Sequence, residues 1–299
     1  MHKLNSEIIC YLMGVLLLFN GGFMLLSTLV SILTKDGVTV ELSLAALLTL
    51  MVGIILMLIT RNHTKQLSKR EGYLVVTIGW ILMTFSGMLP YLLTDVFSDV
   101  SGAFFETMSG YTTTGSSALA DIEVVPKGVL FWRSTTHWIG GMGIIVLAIA
   151  ILPLLGIGGM QLFTAEAPGP SSDKLHPRIT DTAKRLWFIY VGFTVVETLM
   201  LWAAGMSLFD AINHAMSTVS TGGFSTKNTS VSFWNDQPLI QYIILVFMFL
   251  AGVNFVLSYF AFTGQIKRLF RDEEFRFYSR MILICSTVVA LVLILNVDM

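Results

Sequence analysis

An all-α integral membrane fold is the architecture this sequence predicts, and three observations carry the prediction. Apolar residues make up 55% of the chain against 12% charged, with a mean hydropathy of +0.76, which is more apolar surface than one water-soluble core can hide. The charges gather in short stretches and leave long uncharged runs between them. Among those runs lie two uncharged loops, residues 111–117 (YTTTGSS) and 218–224 (TVSTGGF), each following an amphipathic half-helix and each resembling a pore loop.

Taken in order, the uncharged runs at 8–34 and 42–60 form an N-terminal transmembrane hairpin within residues 1–66. The first run is too long for a cleaved signal peptide. Arg61, Lys65, Lys69 and Arg70 then mark a cytoplasmic turn. Residues 67–164 read as a first span-loop-span repeat, with spans over 72–94 and 134–164 around the first pore loop. The segment 165–185 contains Pro168, Pro170 and Pro177, so it is not one continuous helix; it is a cytoplasmic linker and a contact surface open to a regulatory subunit. A second repeat follows over 186–266, its first span broken only by Glu197 and its last running over 237–266. Residues 267–299 supply a basic loop and a further span at 281–297. Of eighteen basic residues, all but Lys35, Lys127, Arg133 and Lys227 then fall inside, which places the N-terminus in the cytoplasm and brings both pore loops in from the outer face.

The loops align as copies. An offset of 107 carries Thr114 to Thr221, Gly115 to Gly222 and Thr113 to Ser220, and upstream it keeps Phe105, Met108 and Ser109 opposite Ile212, Ala215 and Met216. Small hydroxyl residues and glycine let backbone carbonyls face a narrow axis and replace the water around a dehydrated cation, so the pattern suggests ion conduction. An ion-coupled cation symporter is the alternative; it predicts inverted repeats, whereas these run parallel. A non-conducting assembly subunit is a third reading.

The segments 104-FFETMSGYTTTGSSAL-119, 132-WRSTTHWIGGMGIIVLAIAILPLLGIGGMQLFTAEAPGP-170, 213-NHAMSTVSTGGFST-226 and 250-LAGVNFVLSY-259 resemble the Trk/Ktr potassium uptake family, and the Trk-type membrane subunit in particular, over essentially all of the chain from about residue 8. The resemblance implies a pseudo-fourfold channel-like fold of four span-loop-span repeats passing potassium through a filter with one glycine per repeat. It implies potassium as substrate, a homodimer in the bacterial plasma (inner) membrane and a cytosolic nucleotide-binding regulatory ring of the TrkA type, with no nucleic acid partner and no tightly bound cofactor. Carried over by residue, Thr113, Thr114, Gly115 and Ser116 form one filter wall, and Ser220, Thr221, Gly222 and Gly223 the other, with Gly115 and Gly222 the sharpest candidates because glycine permits a positive φ. Two complete repeats and the first span of a third are present, so a truncated sequence is expected.

Several further residues carry expectations. Glu106, in the first pore helix, braces the filter backbone or is a helix-surface charge. Asn254 lines the cavity below the filter or bonds between helices. Asp95, Asp99, Asp121 and Glu123 concentrate cations at the outer mouth or are solvated loop charges. Arg133 is expected as an interfacial anchor rather than a pair for a pore carboxylate. His137 is expected as a packed, hydrogen-bonded histidine rather than a pH sensor, and Glu197 as structurally paired rather than ion-binding. Cys10 and Cys285 read as packing residues, without a disulfide framework. No metal-ligand cluster, nucleotide loop or nucleophile motif supports enzyme chemistry.

Overall fold

The computed structural model describes residues 4–61, 69–143 and 179–296. Within them every regular element is helical. Five helices are long and apolar enough to cross a membrane: Ser6–Thr34, Thr39–Ile59, Arg70–Leu93, Lys184–Ala203 and Glu273–Leu295.

Helices α1 (Ser6–Thr34) and α2 (Thr39–Ile59) form the expected hairpin. Its seam is made of small residues: a Cβ at Gly14 would stand 2.8 Å from the Gly53 carbonyl oxygen, and one at Gly53 would stand 3.0 Å from that of Gly14. Without a hydrophobic driving force between lipid-immersed helices, such close backbone approach is what lets two of them adhere. The hairpin also packs on the first repeat, α1 lying against α3 (Lys69–Gly87) and α6 (Lys127–Gly141). Between those come the short α4 (Leu89–Leu93), opened by Pro90 in its first turn, and the first pore helix α5 (Val100–Tyr111).

The second repeat reuses the plan. Helix α7 (Ile179–Ala203) leads to the second pore helix α8 (Leu208–Val219), a 3₁₀ turn at Ser230–Trp234, and α9 (Pro238–Ala251). Each repeat has its own core, one around Tyr91, Tyr111 and Trp132, the other around Tyr190, Phe193 and Phe247. Trp138 joins them, packing its ring against Phe23 of the hairpin and against Trp187 and Tyr190 of α7.

Two expected spans differ. The run over 134–164 is described only as far as Gly143, and α6 begins earlier, at Lys127. Most of the 165–185 linker lies outside the described residues, as does most of the basic turn at 61–70. The single span expected over 237–266 is instead two helices, α9 and α10 (Phe255–Phe262), parted at residues 252–254. A later helix packs against the break: Tyr278, on α12 (Glu273–Asn296), lies so close to Gly252 that a Cβ would strike its side chain, and its hydroxyl donates to the Phe249 carbonyl at 3.2 Å. That bond satisfies a carbonyl freed where the ladder stops. A short α11 (Ile266–Arg271) links α10 to α12.

Candidate functional site: two turns behind two pore helices

Each pore helix is started by a side-chain cap and stopped by a turn, and both events repeat 108 residues apart. Asp99 accepts from the Gly102 N–H at 2.6 Å to begin α5, and Ser207 accepts from the Asp210 N–H at 3.1 Å to begin α8. At the other end, the N–H groups of Thr112, Thr113 and Thr114 donate to the carbonyls of Met108, Gly110 and Ser109. Those of Ser220, Thr221 and Gly222 donate to Met216, Thr218 and Ser217, each pair displaced by 108.

The offset of 107 is therefore corrected to 108. Thr113 corresponds to Thr221, Thr114 to Gly222 and Gly115 to Gly223. The backbone agrees: φ is +53° at Thr113 and +77° at Gly115, and +57° at Thr221 and +94° at Gly223, while Thr114 and Gly222 have no such φ. The φ argument thus applies to Gly115 and Gly223 and not to Gly222. Gly222 is glycine for a different reason, since a Cβ there would run into the His137 ring. Alternating the sign of φ matters because an ordinary extended chain throws successive carbonyls to opposite sides, whereas alternation turns them toward one. The two turns also touch, for a Cβ at Gly115 would overlap the Gly222 carbonyl oxygen. A cleft of about 350 Å³ opens beside the second turn, lined by Ser217, Thr218, Thr221, Gly222 and Gly223 among others.

Polar side chains hold each turn from behind. Glu106 is wholly buried and accepts from the Ala118 N–H at 2.7 Å and the Ser117 hydroxyl at 3.0 Å, so it braces the backbone just beyond the first turn. At the equivalent place in the second repeat stands His214, also buried, with Nε2 3.3 Å from the Ser225 hydroxyl. The histidine carried no signal in the sequence at an offset of 107, which sets Glu106 opposite Asn213; the offset of 108 exposes it. Ser109 donates to the Ser116 carbonyl at 2.6 Å, and Thr226 donates to Asp210 at 2.6 Å.

Arg133 departs from its expected role as an interfacial anchor. It is buried, pairs with Glu106 at 2.6 Å and donates through Nη1 to the Ser225 carbonyl at 3.0 Å. The guanidinium finds a carboxylate inside the protein, so it has no need to reach for the lipid headgroups. His137 is packed and hydrogen-bonded, with Nδ1 3.2 Å from the Ser217 hydroxyl and its ring stacked on Phe224. Glu197 is buried on α7, but neither oxygen of its carboxyl has a hydrogen-bond partner among the described residues, so the expected structural pairing is not made. Asn254 sits in the break between α9 and α10 and donates to Glu274 at 3.4 Å, the interhelical role rather than a place beside either turn.

The four acidic residues expected at the outer mouth divide. Asp99 is the α5 cap, and the Ser101 hydroxyl with the Gly102 N–H holds its carboxyl below the usual carboxylate range. Asn228 straps the repeats together, accepting from the Ile122 N–H at 2.8 Å and donating to Asp121 at 2.7 Å, which keeps the Asp121 carboxyl low. The Asn228 N–H donates to Glu123 at 3.2 Å, and Asp95 is exposed. Among the described residues no group of three or more His, Cys, Asp or Glu could hold a metal ion.

The sequence profile of the TrkH family, described as a cation transport protein, fits residues 42–297. This chain belongs to the TrkH family. It is 42% identical over 292 residues to the Trk system potassium uptake protein TrkH of Salmonella typhimurium and 40% identical to that of Escherichia coli K12, covering 95% of this chain and 60% of each relative. Its fold matches the crystal structure of the potassium transporter TrkH from Vibrio parahaemolyticus with a TM-score of 0.78 and 38% identity, over 91% of this chain and 56% of that one. The chain therefore spans less than two thirds of the length of these TrkH relatives. Membership in the TrkH family and its apolar helices make it a multi-pass membrane protein, and the relatives are transport proteins rather than enzymes.

Proposed function

We propose that this chain builds part of a potassium uptake pathway across the bacterial inner membrane, the ion passing along backbone carbonyls of residues 113–116 and 220–223. What supports the reading is the pair of touching turns, each with positive φ at the first and third of three residues and each braced from behind by a buried side chain. A partly dehydrated cation needs such fixed carbonyl oxygens in place of water. The relatives' names as potassium uptake proteins point to the ion. The same order of cap, half-helix and turn in both repeats favours a channel-like route over an ion-coupled symporter built on inverted repeats. The family likeness further supports a homodimer and a cytosolic nucleotide-binding ring as gate controller.

The test uses the full-length product of this gene in a bacterium lacking its own potassium uptake, read as growth on low potassium and as rubidium influx. Gly115→Ser and Gly223→Ser are each expected to lower influx, or its preference over sodium, by about tenfold, a misplacement effect of the size small shifts in a reacting geometry produce. Wild-type behaviour in both at equal membrane levels would overturn the assignment.

A further inference from the structure

Phe224 comes directly after the second turn, yet its ring lies among side chains of α6, a helix of the other repeat. The Arg133 guanidinium carbon is 3.5 Å from the ring centroid, and the His137 imidazole centroid is 3.7 Å from it with the planes 7° apart. Two groups cannot both stand that close over one face without occupying the same volume, so the ring is intercalated between residues one helical turn apart. The same guanidinium is ion-paired with Glu106 and bonded to the Ser225 carbonyl. Glu106 in turn holds Ser117 and Ala118. One cation is thus fastened at once to the brace of the first turn and to the two residues that follow the second.

A buried ion pair is seldom more stabilising than apolar packing of the same volume. What a forked, planar cation supplies instead is direction, since its N–H groups and its flat face fix several partners at set angles. Carbonyl oxygens select among cations by their number, spacing and field. Resting on the function proposed above, we propose that Arg133, gripping Phe224 together with His137 and held by Glu106, is a positioning residue that sets the spacing of the two turns and through it the ion preference of the pathway.

The experiment measures rubidium and sodium influx through the full-length protein, reading the preference separately from maximal rubidium influx. Phe224→Leu removes the intercalated ring and Glu106→Gln removes the charge that holds the guanidinium. Each is expected to lower the rubidium preference about tenfold while influx persists, and the double variant no further than the worse single one, because both act through one group. Val124→Ala, on the exposed outer loop, keeps the wild-type preference. An unchanged preference in both single variants, or losses that simply multiply in the double variant, would overturn the proposal. Should either variant fail to reach the membrane, Arg133→Lys decides: it keeps the charge but can neither fork nor stack flat, so a wild-type preference there would refute the role. A wild-type protein with no rubidium influx would instead sink the functional reading and this inference with it.

Discussion

Glycine is needed at residues 222 and 223 for unlike reasons, and the difference can be measured. Gly223 has φ +94° with open space where a Cβ would stand, so Gly223→Ala is expected to cost about 1–2 kcal/mol of backbone strain alone. Gly222→Ala instead presses a methyl group into the His137 ring, and His137→Ser is expected to recover much of its loss. Thermal unfolding in detergent reads both; recovery of Gly223→Ala by the same His137→Ser would contradict the distinction. These neighbours also show why the repeat was only partly legible. Because residues 222 and 223 are both glycine, offsets of 107 and 108 each set a glycine opposite Gly115, and only the caps, hydrogen bonds and torsion angles of the fold choose between them. The pairing of Arg133 is hidden in the sequence for a similar reason, since its partner Glu106 lies 27 positions away and no spacing rule connects them.

At the scale of elements, the hairpin does more than lengthen the membrane domain. Asn20 of α1, wholly buried, accepts from the Tyr111 hydroxyl at 2.5 Å and donates to Ser86 at 2.7 Å. Tyr111 is the last residue of α5, so the hairpin reaches the point where the first pore helix gives way to its turn. Asn20→Leu strands that hydroxyl and is expected to cost about 1–3 kcal/mol. Lower thermal stability, with Tyr111→Phe restoring part of it in the double variant, is the expected result; an additive double variant would show that the bond carries nothing. The helices themselves were legible as uncharged runs because lipid demands apolar side chains along the whole length of a span. The break at 252–254 was not, because the residues there are as uncharged as the rest of the run and the group that meets the freed carbonyl, Tyr278, comes from a later helix.

For the molecule as a whole, the sequence predicted a fixed orientation, and one pair of labels tests it. In a background lacking Cys10 and Cys285, Val124→Cys is expected to react with a membrane-impermeant thiol reagent in intact cells and Lys267→Cys is not; the opposite pattern would invert the topology. Both positions are solvent-open in the fold, so protein packing does not mask the comparison. Lipid or further protein must cover α12, which is exposed throughout residues 280–295. The offset of 108 has a consequence for recombining the two halves. Within the three residues that carry the alternating φ, Thr113 equals Thr221 and Gly115 equals Gly223 and only Thr114 and Gly222 differ; at the flanks Thr112 faces Ser220 and Ser116 faces Phe224, and the braces behind have parted as far as glutamate and histidine. The two repeats thus keep the backbone of the turn while its flanks and the scaffolding behind it differ. Anyone exchanging the halves would accordingly move each turn with its own brace.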